Sequence, residues 1–252
     1  MCCYKKARYR IVGDRGISVE FGNAVDEAVN LRVRKMLIAL KQSNCPGIVE
    51  AFSTICSLFV FYDPLKVGLK KLTADLKKIE SQMSDITLPP SNLYEIPCLY
   101  GGEHGPDLEL VSKILGLSSM EIVNIHSGRE YVLYDTGFMG GSAHFKAPDP
   151  LDQLLRKDTP NLGVPSGAVL IAGGLGSTFK TAPAPTGWYW IGTCPIQGWF
   201  PEKDPPLLLT PGNRIVYRPI EPEEFNQIKK MVEENRFSIK IITNGLEREG
   251  EG

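Results

Sequence analysis

The segment that most restricts the fold is residues 169–195, VLIAGGLGSTFKTAPAPTGWYWIGTCP, in which two apolar runs flank a loop rich in glycine and proline. The first run ends at Gly173 and Gly174, and an aromatic run follows at residues 188–191. Continuous apolar runs between glycines predict strands of a sheet that is covered on both faces. The glycines are then expected to turn the chain or to let a ligand approach its backbone. This segment therefore predicts a β-rich domain.

The same glycines do not match the loops that hold phosphates in nucleotide-binding proteins. No Gly-Lys-Ser or Gly-Lys-Thr follows them, and the spacing of the dinucleotide fingerprint is missing. Pro183 and Pro185 exclude a helix after Lys180 whose N-terminus would bind a phosphate. We therefore expect no nucleotide at this loop.

Length and charge limit the class of protein. A chain of 252 residues forms one large domain or two small ones, and it buries a core without disulfides. Its formal net charge is -1 and it has no basic block, which argues against nucleic acid as a partner. No apolar run is long enough to cross a bilayer, and the first residues lack the apolar segment of a signal peptide. The sequence predicts a cytoplasmic protein that binds neither nucleic acid nor a membrane.

Cysteine and histidine spacing predicts no metal site. The 6 cysteines include no CxxC pair, and the 3 histidines form no i, i+4 pair. Reduced, buried thiols are the better interpretation of the cysteines.

The N-terminal part predicts a small α+β domain, because its elements alternate as two strands and a helix, twice over. Apolar residues recur every three or four positions in the helices and alternate in the strands. The predicted elements are strands at 9–12 and 17–21, a helix at 24–42, strands at 48–54 and 57–62, and a helix from 63 to 83. A stiff, polar segment around residues 88–92 marks a boundary, so the predicted domains are 1–90 and 91–252.

The second domain is predicted to be mainly β. Ser118 and Glu121 have the spacing of a capping box and predict a helix at 119–126. Residues 137–165 are predicted to form one long irregular segment, of a length that is usually functional or mobile. The other predicted elements are strands at 94–99, 129–136, 207–209, 214–217 and 237–243, a short helix after Pro106, and a helix at 221–235.

One glycine-flanked loop carries candidate acid and base groups, Glu103, His104 and Asp107. A carboxylate beside an imidazole orients it for proton transfer if the loop lines a cleft. The alternative is that these groups only cap the following helix. His126 ends a predicted helix, where a cationic imidazole complements the terminal carbonyls.

Two tryptophans of the aromatic run share one strand face. Trp188 and Trp190 are predicted to pack in the core, with a binding platform for a flat ligand as the alternative. Neither pattern specifies a reaction.

Beyond these patterns, an ordered series of short motifs covers nearly the whole chain. In order along the chain they are Ile96-Pro97, Tyr100-Gly101-Gly102-Glu103, Gly105-Pro106-Asp107-Leu108, Ile125-His126-Ser127, Arg129-Glu130-Tyr131, Gly137-Phe138, Val164-Pro165-Ser166-Gly167, Ile171-Ala172-Gly173-Gly174, Gly187-Trp188, Ile191-Gly192, Asp204-Pro205-Pro206 and Pro211-Gly212-Asn213-Arg214. The series resembles the family of the 5-oxoprolinase B subunit, the kinase inhibitor KipI and the first subunit of allophanate hydrolase, also described as a carboxyltransferase subdomain.

The resemblance implies an α+β N-terminal domain followed by a mainly β, cyclophilin-like barrel domain. It also implies a heteromeric complex with a KipA-like C subunit and, in the oxoprolinase system, an A subunit. That complex opens 5-oxoproline to L-glutamate with ATP hydrolysis, so ATP is expected at the level of the complex and is not assigned to this chain by itself. Two alternatives remain open: a KipI-like inhibitor of a sensor histidine kinase, and the carboxyltransferase part of a urea carboxylase or allophanate hydrolase system.

From the residues and the resemblance together, a barrel cleft is expected to bind the small-molecule substrate. Glu103, His104 and Arg129 are the candidate catalytic residues, with Arg129 orienting a substrate carboxylate through paired donors. The candidate substrate-binding residues are Tyr131, Phe138, Gly173, Gly174 and Trp188, with the Gly173 and Gly174 amides as donors to an oxyanion.

Two segments depart from the family pattern. Residues 139–145, MGGSAHF, stand where a Pro-Gly-Phe and Tyr-Leu-Gly-Gly type of loop is usual, and Leu175-Gly176 replaces a Gln-Thr pair. Thr186 also stands where a second glycine is common. These departures affect the expectation that this chain shares the family's substrate more than the expectation that it shares the family's fold.

Overall fold

The computed structural model describes residues 3–137, 139–178, 182–204, 206–243 and 246–251. The chain divides into two compact units, Met1–Pro89 and Pro90–Gly252. Whether each unit folds independently, as the predicted domain limits require, stays a prediction. In the described part of the chain no helix is long and apolar enough to cross a membrane.

The first unit is a four-stranded antiparallel sheet with two helices, in the predicted order of elements. The strands lie side by side in the order β1-β2-β4-β3. Its elements are β1 Cys3–Val12, β2 Gly16–Gly22, α1 Glu27–Gln42, β3 Ile48–Ser53, β4 Ser57–Tyr62 and α2 Leu69–Gln82.

Helix α1 forms where the apolar spacing predicts it, whereas α2 begins at Leu69 and not at residue 63, and Leu65 is exposed. The Asp26 carboxylate accepts a hydrogen bond from the Val29 amide and so caps the N-terminus of α1. The stripe on α2 buries Leu72, Leu76 and Ile79 against the strands. This burial gives the unit a core of its own, as the periodicity predicts.

The second unit is built on a ten-stranded mixed sheet that curls into a half-barrel. Eight strands follow the order β16-β15-β5-β13-β10-β11-β8-β7, and β14 pairs with β5 and β6. These strands are β5 Leu93–Tyr100, β6 Glu130–Val132, β7 Asp135–Thr136, β8 Ala143–Lys146, β10 Ala168–Ala172, β11 Leu175–Thr178, β13 Tyr189–Thr193, β14 Arg214–Pro219, β15 Ser238–Thr243 and β16 Leu246–Glu251. Closure into a cyclophilin-like barrel stays a prediction.

A short two-stranded sheet and three helices complete this unit. The small sheet pairs β9 Asn161–Val164 with β12 Ala184–Thr186. The helices are α3 Leu108–Leu115, α4 Ser119–Ser127 and α5 Pro222–Glu233. The predicted capping box is present, since the Ser118 and Glu121 side chains each bond the other's backbone amide.

The central segment behaves as its apolar runs predict. Every residue of β10 is buried, because Val169 and Ile171 face the main core while Leu170 and its neighbours face a second, smaller cluster. Gly173 and Gly174 adopt positive φ and turn the chain from β10 into β11. They are corner residues of the sheet.

Four expectations for the second unit are wrong. The predicted strand 129–136 is two strands, because β6 pairs with β14 and β7 pairs with β8. Residues 137–165 are not one irregular segment, because β8 and β9 lie within it. Residues 207–209 form no strand; Leu207 makes only a single bridge, to Trp199. The Gly173 loop runs into strand β11 and not into a longer irregular segment. These strands are short, and pairing with their neighbours defines them more than their own composition does.

Candidate functional site

A cleft of about 570 Å³ in the second unit contains the predicted Glu103-His104 pair. Its walls come from four places in the sequence: the loop after β5, the turn before β10, β13 with the segment that follows it, and α5. The lining includes Glu103, His104, Ser166, Trp190, Gln197, Trp199, Phe225, Lys229 and Glu233. Aromatic walls with a few charged groups are typical of a site for a small polar molecule.

Glycines bend the Glu103-His104 loop into its position. Gly101 and Gly102 have φ of 72° and 54°, values that favour glycine strongly. A Cβ on Gly105 would lie 2.1 Å from the Ile191 carbonyl oxygen, so the loop can approach β13 only without a side chain there. The His104 carbonyl accepts a 2.7 Å hydrogen bond from the Thr193 hydroxyl. At the other end the Gly101 amide donates to the Ile191 carbonyl at 3.2 Å, so the loop is held against β13 at both ends.

The acid and base groups differ in exposure. The His104 imidazole packs on Phe225 with ring centroids 4.4 Å apart and is 27% exposed. The Glu103 side chain is 90% exposed, and its Oε1 lies 3.8 Å from His104 Nε2. A fixed imidazole beside a solvated carboxylate is suited to proton transfer to a molecule in the cleft.

Asp107 has a different role from the helix cap that its sequence position indicates. Its side chain makes no capping bond to α3. Instead Oδ2 accepts hydrogen bonds from Lys157 Nζ at 2.7 Å, Asn161 Nδ2 at 2.7 Å and the Trp190 amide at 2.8 Å. This carboxylate ties the start of α3 to β9 and β13, and it holds the backbone of Trp190, which lines the cleft.

Of the predicted site residues that the structure describes, only Glu103 and His104 line the cleft. Among the described residues that line it, Arg129, Tyr131 and Trp188 do not occur. Arg129 is exposed at the end of α4. Tyr131 is 4% exposed and donates its hydroxyl to the His126 carbonyl at 2.6 Å. Their roles in binding or catalysis stay predictions.

One of the two predicted amide donors is already engaged, and the role of the other stays a prediction. The Gly173 N–H donates to the Leu154 carbonyl at 2.7 Å, which uses the hydrogen that an oxyanion would need. Gly174 contributes its carbonyl to the Ala147 amide at 2.9 Å. Phe138, the remaining substrate-binding candidate, lies outside the described residues.

Trp188 belongs to the smaller of the two clusters on the sheet. It is 8% exposed and packs with Val164, Ala168, Leu170 and Ala172. The core interpretation of this tryptophan is therefore correct. Trp190, unlike Trp188, lines the cleft, and its indole Nε1–H donates to the Gly192 carbonyl at 2.9 Å.

His126 is not the cationic helix end that the sequence predicts. Its ring is fully buried among Tyr100, Tyr131, Phe145 and Tyr217, with Nδ1 2.7 Å from the Tyr100 hydroxyl. Burial lowers the pKa of this imidazole to about 3, so it is neutral at physiological pH. A neutral ring gives no charge to the carbonyls of α4.

Sequence reasoning missed most of the cleft wall. Trp199, Gln197 and Lys229 are far from Glu103 along the chain, and only folding brings them together. Lys229 is one of two adjacent exposed lysines on α5, so the sequence holds no signal that selects it.

Two further kinds of site are of interest among the described residues, a cluster of metal ligands and a phosphate-binding turn at Gly173-Gly174. In this part of the chain no three His, Cys, Asp or Glu side chains group as a metal site. The Gly173-Gly174 turn leads into strand β11 and not into a helix, and the Gly173 amide already donates to the Leu154 carbonyl. The turn is therefore not a phosphate-binding site of the kind found at helix N-termini.

Comparison with known proteins gives a consistent set of similarities. The model of the family "carboxyltransferase domain, subdomain C and D" matches residues 7–209. The 5-oxoprolinase B subunit of Bacillus subtilis (strain 168) is 32% identical over 235 residues, which are 88% of this chain and 98% of that protein. The corresponding B subunit of Escherichia coli O157:H7 is 30% identical over 216 residues, 85% of this chain and 97% of that protein.

Two solved structures share the fold. TTHA0988 superposes with a TM-score of 0.70 at 31% identity, over 82% of this chain and 40% of that one. The Kluyveromyces lactis urea carboxylase gives a TM-score of 0.81 at 19% identity, over 99% of this chain and 25% of that one. The chain thus spans less than half the length of either solved protein.

Proposed function

The chain belongs to the carboxyltransferase family of subdomains C and D, and we propose that it is the B subunit of a heteromeric 5-oxoprolinase that opens 5-oxoproline to L-glutamate. The observation that carries this proposal is the similarity to the 5-oxoprolinase B subunits of two bacteria, over 97–98% of their length. A match of that extent favours the same place in a complex, with a KipA-like C subunit and an A subunit as partners.

The chemistry of the cleft suits this substrate. 5-Oxoproline is a small ring with one carboxylate and one lactam, and Lys229 and the Trp190 and Trp199 rings offer a cation and flat apolar surfaces. His104 gives the lactam nitrogen a proton as the C–N bond breaks, or takes one from the attacking water. Glu103 Oε1 lies 3.8 Å from His104 Nε2, so a carboxylate stands beside the ring that moves the proton.

ATP hydrolysis belongs to the complex in this proposal. Because the described glycine turn does not form a phosphate cradle, we route no step of ATP chemistry through this chain. Its own residues bind and orient the ring and move protons at His104.

Carboxyl transfer is a second candidate, and the observation that favours it is the family itself, which is described as a carboxyltransferase domain. The same cleft would then accept a carboxyl group carried by biotin on another protein. A partner that carries biotin distinguishes this candidate from the first.

Reconstitution tests the proposed function. The chain is purified with the C-subunit-like and A-subunit-like proteins of the same source, and L-glutamate formation from 5-oxoproline is measured with ATP. We expect glutamate only in the full mixture, and none when this chain is left out. Equal glutamate formation without this chain would refute the subunit assignment. Transfer of a carboxyl group that requires a biotin carrier and bicarbonate, with no glutamate formed, would support the second candidate.

A further inference from the structure

A second group of reactive side chains lies in the same unit, outside the cleft. His144 on β8 faces Asp135 on β7, because the two residues are directly paired in the antiparallel register. His144 Nδ1 lies 2.7 Å from Asp135 Oδ1. A carboxylate accepts the hydrogen on Nδ1, so Nε2 of the same ring is left with its lone pair.

The strand on the other side of β8 supplies a hydroxyl to this row. Ser177 on β11 is the direct partner of His144 in the register between β8 and β11. Directly opposed residues project from the same face of a sheet, with Cβ atoms about 4.5–5.5 Å apart. Asp135, His144 and Ser177 therefore form one row across three neighbouring strands, in the order carboxylate, imidazole and hydroxyl.

This order is the one that activates a serine. The carboxylate fixes the imidazole through Nδ1, and Nε2 then accepts the hydroxyl proton as the oxygen attacks. The row is partly shielded from water, since the Asp135 and His144 side chains are 13% and 22% exposed. A hydrogen bond between imidazole and hydroxyl often tightens only when substrate binds.

We propose that Ser177 is a nucleophile, with His144 as its general base and Asp135 as the residue that positions the imidazole. The substrate class is a small acyl ester or amide. Ser177 is only 6% exposed, and the Trp188 ring lies 5.8 Å from the His144 ring, so a large acyl group would not reach the hydroxyl. This activity is additional to the proposed subunit function and does not rest on it.

The chemical step is an ordinary acyl transfer. The Ser177 oxygen bonds to the acyl carbon, the bond to the leaving group breaks, and the serine proton passes through His144 Nε2 to that leaving group. Water then attacks the acyl-serine with His144 again as base, which releases the acid and restores the hydroxyl. No oxidant or metal is needed.

Ser142 provides a matched control. It is 7% exposed, similar to Ser177, and lies two residues before His144 on the same segment. Its hydroxyl donates to the Met139 carbonyl at 2.8 Å, so it is engaged in a turn. Labelling of Ser142 would indicate that the reagent modifies buried serines in general. It would not support activation of Ser177 by His144 and Asp135.

A small alkyl fluorophosphonate applied to the full chain without its partner proteins tests the proposal. Attack by the serine oxygen on phosphorus expels fluoride and leaves a stable adduct, which intact-mass measurement and peptide mapping locate. We expect one adduct, at Ser177, in wild type and in Ser142→Ala, and none at that position in Ser177→Ala. His144→Gln is expected to slow labelling about 100-fold or more, as the loss of a general base does.

The role of Asp135 is tested by rescue. Asp135→Asn is expected to slow labelling at least about tenfold, because the amide no longer holds the imidazole in the required tautomer. Asp135→Glu should restore part of that rate, which a merely structural loss in the sheet would not do. The absence of an adduct at Ser177 in the wild-type chain, or equal rates in wild type and His144→Gln, would overturn the proposal.

Discussion

The buried imidazole of His126 shows how one residue makes stability depend on pH. In the folded chain its pKa is about 3, because the ring is fully buried and burial disfavours the charged form. In the unfolded chain an imidazole titrates near its ordinary value of about 6.5. The unfolded state therefore binds one more proton between those two values, and the free energy of unfolding falls as pH drops through that interval.

We expect wild type to lose more stability than His126→Gln between pH 6.5 and pH 4. The difference in slope is about 1.4 kcal/mol per pH unit, the free energy of one proton bound only by the unfolded state. Urea unfolding at half-unit pH intervals measures it. Above pH 7 the two slopes should agree, and parallel curves over the whole range would contradict a neutral buried His126.

At the same scale, the site is only partly predictable from the sequence. Glycines on both sides of Glu103 and His104 indicate a bent, accessible loop, and the structure places both residues in the cleft. Asp135, His144 and Ser177 escape sequence reasoning, because their order depends on the register of three strands. Residues 9 and 33 positions apart carry no common spacing rule.

At the scale of elements, the second unit depends on a buried charge. Asp107 at the start of α3 accepts from Lys157, Asn161 and the Trp190 amide on β13, and the Asp107 and Lys157 side chains are only 13% and 10% exposed. Removing one partner of such a pair leaves the other charge without compensation in a poorly solvated place. One side chain thus holds three elements together.

Asp107→Asn is therefore expected to lower the free energy of unfolding by about 2–4 kcal/mol. Asp158→Asn is the control, because Asp158 is exposed next to Lys157 and should change stability by less than about 0.5 kcal/mol. Urea denaturation at pH 7 measures both. Equal stability of the two variants would show that the carboxylate is not a structural tie.

Elements with strong local patterns are predicted well, and those defined by pairing are not. The helices α1 and α2 carry long apolar stripes, and α4 carries a capping box. Strand β8 has only four residues in a segment rich in glycine, so nothing local separates it from a loop. The parallel pairing of β5 with β14 joins residues about 120 positions apart, which a local pattern cannot reveal.

For the whole molecule, the family match spans residues 7–209 and so includes most of both compact units. The relatives of similar length are named as one subunit of an enzyme, which is why we propose that this chain acts in a complex. The fold alone does not select between lactam opening and carboxyl transfer, since one fold supports many reactions. The choice between lactam opening and carboxyl transfer depends on the residues that line the cleft.

The measurement that tests this account most directly is kcat/KM for 5-oxoproline in the reconstituted complex that contains cleft variants of this chain. We expect His104→Gln to lower kcat about 100-fold or more, and Lys229→Gln to raise KM about tenfold or more. Lys230→Gln, on the same helix but outside the cleft lining, is the matched control and should behave as wild type. Arg129→Gln tests the remaining catalytic candidate, and the cleft account predicts no change. Wild-type kinetics for both His104→Gln and Lys229→Gln would contradict the claim that this cleft binds and opens the ring.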